Sequence, residues 1–163
     1  MLVTKWIVIV ALALVVSAII AGQAGMLQGK APADLGIQQG KLKGLSSTSN
    51  SVNTQAGFYP DHPQREYSSI APLALRGDGP ATIAKLKSIV EGTNGAKLIT
   101  SAPDYLYAQY TTPLMKFVDD TEFWFDPTIN AVQVRSASRL GESDLGTNRK
   151  RIEAVRAALA GVP

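Results

Sequence analysis

Two patterns of apolar positions divide the chain. From Trp6 to Lys30 no charged residue occurs, and Ile7 to Ala21 is apolar except for Ser17. At about 1.5 Å per residue, a helix over this stretch covers a hydrocarbon core of roughly 30 Å. It lacks the polar stripe of a soluble amphipathic helix. Lys5 precedes the run, and Gly22, Gln23, Gly25 and Lys30 follow it. The pattern fits an uncleaved anchor or a removable export signal ending near Gly22-Gln23-Ala24, and the length of the run favours the anchor.

After residue 30 the pattern changes. Residues 30–63 read as a tether and irregular lead-in, with Gly36, Gly40, Gly44 and the polar run Ser46-Ser47-Thr48-Ser49-Asn50-Ser51, a composition of turns and exposed chain. Ile83, Leu86, Ile89 and Val90 recur at helical spacing between Pro80 and Gly92, which predicts a helix over residues 80–91. The period then shortens. Residues 98–100, 105–111, 117–125 and 131–138 are rich in aromatic and branched side chains and are punctuated by Pro103, Pro113 and Pro127, as successive strands are. A further short strand is expected through Tyr67 to Ile70. Helical spacing returns at Ile152, Val155, Leu159 and Val162, with Ser143 or Asp144 placed to cap the helix start. The order helix, strands, helix predicts an α+β domain over residues 64–163, with an antiparallel sheet of about four strands flanked by two helices, preceded by one N-terminal transmembrane helix within residues 1–29.

Alternation along the third strand puts Phe117, Asp119, Thr121, Phe123 and Phe125 on one face and Val118, Asp120, Glu122 and Trp124 on the other. A tight hairpin around Thr128 pairs Phe125 with Val132 and Phe123 with Val134 toward the core. The same register sets Glu122 opposite Arg135 on the outer face.

Composition sharpens this picture. The 163 residues include no cysteine, which excludes a disulfide scaffold, a thiolate metal site, a cysteine nucleophile and cysteine lipidation. Leaving Lys5 aside, 15 basic and 13 acidic residues follow the apolar run, too near balance for a nucleic-acid partner. Lys30, Lys41 and Lys43 follow the run while only Lys5 and the terminal amine precede it, so positive charge does not orient it. The expected contact is the lipid bilayer through residues 6–27, together with a membrane-protein partner.

The densest chemistry lies between Phe117 and Arg156. Arg149-Lys150-Arg151 falls in the first turns of the last helix, where the dipole and unpaired N–H groups favour negative charge, so these cations need partners. One reading is a structural charge network of Asp119, Asp120, Glu122, Arg135, Arg149, Arg151 and Glu153 that locks the helix to the sheet. A second is an anion site in which Arg135, Ser136, Ser138, Arg139, Asn148 and Arg149 receive a phosphate or carboxylate. A divalent cation on Asp119, Asp120 and Glu122 is disfavoured, because alternation sends Asp119 to the opposite face. His62, the one histidine, sits between Asp61 and Pro63 in an expected loop, and no nucleophile elbow, phosphate loop, dinucleotide fingerprint or zinc motif occurs. No cofactor or metal is implied. Trp124, Tyr105, Tyr107 and Tyr110 read as strand packing.

The runs Phe117-Val118-Asp119-Asp120-Thr121-Glu122-Phe123, Arg135-Ser136-Ala137-Ser138-Arg139-Leu140-Gly141 and Ser143-Asp144-Leu145-Gly146-Thr147-Asn148-Arg149-Lys150-Arg151-Ile152-Glu153 resemble the bacterial and plastid proteins grouped as domain of unknown function 1499. The resemblance runs from roughly Leu35 to the C-terminus and is strongest after Tyr105. Family members often carry a cysteine pair in the loop before the first helix, where this chain has Leu45 and Ser51. The resemblance supplies no reaction, but it implies an exported or membrane-associated domain and so a periplasmic placement, single-pass in the cytoplasmic membrane. The expected function is a non-catalytic binding or assembly domain, as in an accessory subunit of a membrane complex. The alternative is a hydrolase or small-anion-handling enzyme using the Asp/Glu/Arg cluster.

Overall fold

A computed structural model describes residues 2–162. The apolar run forms α1, Leu2–Gln23, and its residues 3–23 meet the length and hydropathy of a membrane span while burying none of their most apolar stretch against the rest of the chain. Among the described residues the body holds a five-stranded antiparallel sheet of β1 (Ser51–Asn53), β2 (Ala96–Ser101), β3 (Tyr105–Thr111), β4 (Val118–Asp126) and β5 (Ala131–Ser138), in the spatial order β1-β5-β4-β3-β2. The helices are α2 (Arg65–Ser68), α3 (Gly79–Glu91) and α4 (Thr147–Gly161).

The hairpin register follows the alternation. Phe125 pairs with Val132, Phe123 with Val134 and Glu122 with Arg135. One sheet face carries Leu106, Ala108, Phe123, Val132 and Val134, and with Ile83, Leu86 and Val90 of α3 and Ile152, Val155 and Leu159 of α4 it makes the main core. Each fully buried valine, leucine, isoleucine or phenylalanine among them contributes about 1.5–3 kcal/mol relative to exposure.

Local chemistry sets the helix bounds. The Asp78 carboxylate accepts the Ala81 N–H at 2.7 Å, and Pro80 occupies the first turn of α3. Gly79 is buried there, and a Cβ on it would overlap the Phe125 ring. Gly79→Ala is expected to lower stability by about 1–3 kcal/mol through overpacking. An unchanged urea midpoint would show that the ring yields freely. At α4 the residue preceding the helix is Gly146, in the left-handed region at φ 76°, so Asp144 supplies the helix start from two residues further back, accepting the Asn148 N–H at 2.8 Å.

Two expectations are corrected. The strand expected through Tyr67 to Ile70 is the short helix α2 followed by a single parallel bridge from Ser69 to Asn53, because the backbone here turns after Pro63 and its carbonyls are taken by arginines of α4 rather than by a neighbouring strand. The fifth strand, β1, lies in the segment read as irregular, at the end of the polar run; Asn50 and Ser51 are buried rather than exposed. The outer sheet face is also covered. Leu35 and Leu42 pack with Tyr105, Tyr107 and Trp124, and the Leu42 N–H donates to Gln55 Oε1 at 2.8 Å.

Candidate functional site

The charged cluster is built mainly on β4, whose alternation splits it between the two faces of the sheet. On the helix side, Asp119 is ion-paired with Arg151, the third cation of the Arg149-Lys150-Arg151 run. The Arg151 guanidinium lies 4.6 Å from the Tyr110 ring centroid and donates to Ser136 Oγ at 3.0 Å. Ser136 donates in turn to Asn148 Oδ1 at 2.6 Å and meets the Thr121 hydroxyl at 2.7 Å. Asn148 is fully buried. Its amide donates to the Asn50 carbonyl at 3.0 Å, to Ser138 Oγ at 3.0 Å and to Asp144 Oδ2 at 2.9 Å, so one side chain joins α4 to the ends of β1 and β5. Asp144 accepts the Tyr67 hydroxyl and the N–H groups of Gly146 and Asn148. Burial pushes its carboxyl up, but these hydrogen bonds prevail and hold it below the usual carboxylate range.

On the outer face, Asp120 Oδ1 and Oδ2 accept from Arg139 Nη2 at 2.7 Å and Nε at 2.8 Å, a two-point clamp, and Oδ1 also accepts the Tyr107 hydroxyl at 2.6 Å. Gln109 closes this chain by donating to Tyr107 at 2.9 Å. Beside it, Glu122 Oε1 accepts the Tyr105 hydroxyl and the Gly36 N–H, both at 2.7 Å. The Arg135 guanidinium lies 3.9 Å from Glu122 Oε2 and donates from Nε to the Gly44 carbonyl at 3.2 Å. The lead-in is thereby pinned to two buried charges through its backbone. Among the described residues Glu122 Oε2 and Arg135 Nη1 have no hydrogen-bond partner, so this pair is held by charge and enclosure rather than by a close contact.

Burial pushes the Glu122 carboxyl above the ordinary glutamate value, against the bonds from Gly36 and Tyr105 and the charge of Arg135, which pull it down. The folded state therefore keeps this proton at a pH where the unfolded chain releases it. The resulting stabilisation is complete below the unfolded value and is lost as pH rises through the folded one. Glu122→Gln retains an acceptor for Gly36 and Tyr105 but cannot ionise. Its stability relative to the parent is expected to rise from pH 4 to pH 7, read from urea midpoints at both, and parallel pH curves would refute the shift.

The residues of the expected anion site do not converge. Arg135 and Arg139 lie on the outer face, Ser136, Ser138 and Asn148 on the helix face, and Arg149 on the far side of α4, where it donates to the carbonyls of Tyr67 at 2.6 Å and Ser69 at 2.8 Å. The expected network is likewise divided. Asp120 and Glu122 reach arginines of β5 and its following loop, not of α4, and Glu153 pairs with Arg156 on the exposed side of its own helix. Arg156 also donates to the carbonyls of Pro72 at 2.7 Å and Ala71 at 2.6 Å. Together Arg149 and Arg156 clasp residues 67–72, a role for helix cations that charge pattern alone does not reveal. Sequence reasoning also missed Gly36 and Asn50, whose polar backbone groups complete the two networks; the aromatic outer face of β3 was the available signal that something covers it.

Besides a smaller cleft of about 240 Å³ whose lining includes Asp119, Ser138 and Asp144, the cluster borders an open cleft of about 480 Å³ between α3 and α4, lined by Ile89, Tyr110, Thr112, Lys150, Arg151 and Val155 among others. The walls of the larger cleft are mostly apolar, and the Arg151 charge at its edge is already paired with Asp119. A family model described as a protein of unknown function (DUF1499) matches residues 41–159. No curated protein and no solved structure matches the chain.

Proposed function

Since the chain belongs to the DUF1499 family, we propose from its geometry that it is a non-catalytic binding or assembly domain, held by α1 in the cytoplasmic membrane with its α+β body on the periplasmic side. One observation carries this reading. Each acidic group of the cluster is engaged, with Asp119 on Arg151, Asp120 on Arg139 and Glu122 facing Arg135, all buried. Groups that neutralise one another inside a sheet hold elements together. Groups that act on substrate converge on an accessible cavity.

The anchor keeps the body near membrane proteins, so its contacts are made at high local concentration. The structural roles of Asp119, Asp120, Glu122, Arg135 and Arg151, and the absence of any resident cofactor, belong to the same proposal. Affinity capture of the full chain from mild detergent, with identification of what accompanies it, is the direct test, and a stoichiometric membrane-protein companion is the expected result. Turnover of phosphate or carboxylate esters by the purified full chain, abolished in folded Arg135→Lys protein, would instead establish the hydrolase reading.

A further inference from the structure

The foot of α1 is in direct contact with the body. Gly22 is buried, and a side chain there would run into the Met115 backbone; Gln23 Nε2 donates to the Leu114 carbonyl at 2.9 Å and the Pro113 carbonyl at 3.3 Å. No linker separates the last apolar turn from the loop between β3 and β4. Gly29, six residues on, packs against Arg139 and Leu140 in the loop after β5. That loop is antiparallel to the start of β4 and lies at the same end of the sheet, with the Arg139 N–H donating to the Val118 carbonyl at 3.1 Å. A shallow cleft at this end is lined by Thr112, Phe117, Leu140 and Leu145, so the segment leading into α4 belongs to the same end.

Large apolar side chains project from all three segments. Leu114 is 57% exposed, Leu140 42% and Leu145 84%. Leu145 also sits in the left-handed region at φ 51°, a conformation that residues other than glycine rarely adopt and that persists where surroundings or function require it. Exposed leucines scattered singly need no explanation, but a set gathered around the emergence of an apolar helix does. A helix spanning the hydrocarbon ends at the headgroup level, and α1 touches the body within its last turn. Leu114 is then fixed at the depth of the interface, with Leu140 and Leu145 beside it.

We infer that this end of the body is a membrane-contacting surface, in which Leu114, Leu140 and Leu145 enter the lipid interface around the foot of α1. The inference rests on α1 being an anchor. The contact is mainly apolar with a small positive excess, since the exposed Glu142 offsets only one of the charges of Lys30 and Lys116 at this end. It makes the body a fixed extension of the anchor rather than a head on a flexible tether, and it leaves the opposite end of the sheet facing away from the bilayer.

The chain has no cysteine, so single cysteines introduced by substitution can be labelled without background. The full chain is reconstituted in phosphatidylcholine nanodiscs with an environment-sensitive fluorophore at Leu114→Cys, Leu140→Cys or Leu145→Cys. Ile129→Cys is the control for the far end, 50% exposed at the β4–β5 turn on the opposite end of β4, and Val10→Cys is the control for the span. The expected result is blue-shifted emission at the three leucine positions, with loss of intensity when nitroxide-labelled lipid is included, and water-like emission without quenching at position 129. Water-like emission at all three positions, with a lipid signal at position 10, overturns the contact while leaving the anchor intact. Water-like emission at position 10 as well overturns the anchor itself.

Discussion

Arg151→Met lowers the stability of the domain by about 3–5 kcal/mol, read as an earlier urea midpoint for the chain in detergent with little change of slope. Methionine preserves most of the stem that lies over Tyr110, so the lost group is the charge. Its removal leaves the Asp119 carboxylate buried with no cation, and deprives Ser136 and Asn148 of a donor. The same change in an Asp119→Asn background is expected to cost much less, since no uncompensated carboxylate then remains. The double-mutant cycle is the decisive measurement. Additive effects would mean that Arg151 and Asp119 do not act together and that α4 is held by its apolar face and its other polar contacts.

The second large effect is on the other face of the sheet. Asp120→Ala strands the Arg139 guanidinium, which is almost wholly buried, and removes the acceptor of the Tyr107 hydroxyl. A loss of about 3–5 kcal/mol is again expected. Tyr107→Phe, which deletes only one hydroxyl from the same chain of bonds, should cost about 1 kcal/mol. Measured by thermal unfolding, the ordering Asp120→Ala well below Tyr107→Phe identifies the two-point clamp as the principal contact. Equal losses from the two substitutions would transfer that role to the tyrosine. Because Asp120 reaches Arg139 and not the cations of α4, combining Asp120→Ala with Arg151→Met should give roughly additive losses, as for sites on opposite faces with no shared partner.

How far these contacts were legible depends on their range in sequence. The β4–β5 hairpin is local, with a short turn and a strict alternation of apolar side chains, so the pairing of Phe123 with Val134 and of Glu122 with Arg135 follows from period alone. Helix α3 declares itself through Pro80, Gly92 and the spacing of Ile83, Leu86, Ile89 and Val90. The covering of the outer face does not. Its contacts are made largely by the backbone of Gly36 and Gly44, and a backbone N–H or carbonyl carries no signature in composition. Leu42 is a lone apolar residue among lysines and glycines, with no period to give it away. The arginines of α4 were visible as charges in need of partners. That Arg149 and Arg156 would take carbonyls of residues 67–72, while Arg151 alone would cross to β4, depends on the angle at which α4 lies on the sheet.

The span of those bonds along the chain also orders events in time. Gly36 waits for Glu122, 86 residues later, and Asn50 for Asn148, 98 residues later. Strand β1 lies at the sheet edge and forms its ladder with β5. The segment made first after the apolar helix therefore keeps local bonds such as that of Leu42 to Gln55 but docks on the sheet late, since closing loops of this length is slow and its partners on β4, β5 and α4 do not exist until those elements have been made. Until then the aromatic side of the β3–β4 ribbon stands open, with Tyr105, Tyr107 and Trp124 uncovered, and the nascent domain is most exposed to aggregation or proteolysis in the interval between completing the hairpin and receiving its own N-terminal segment.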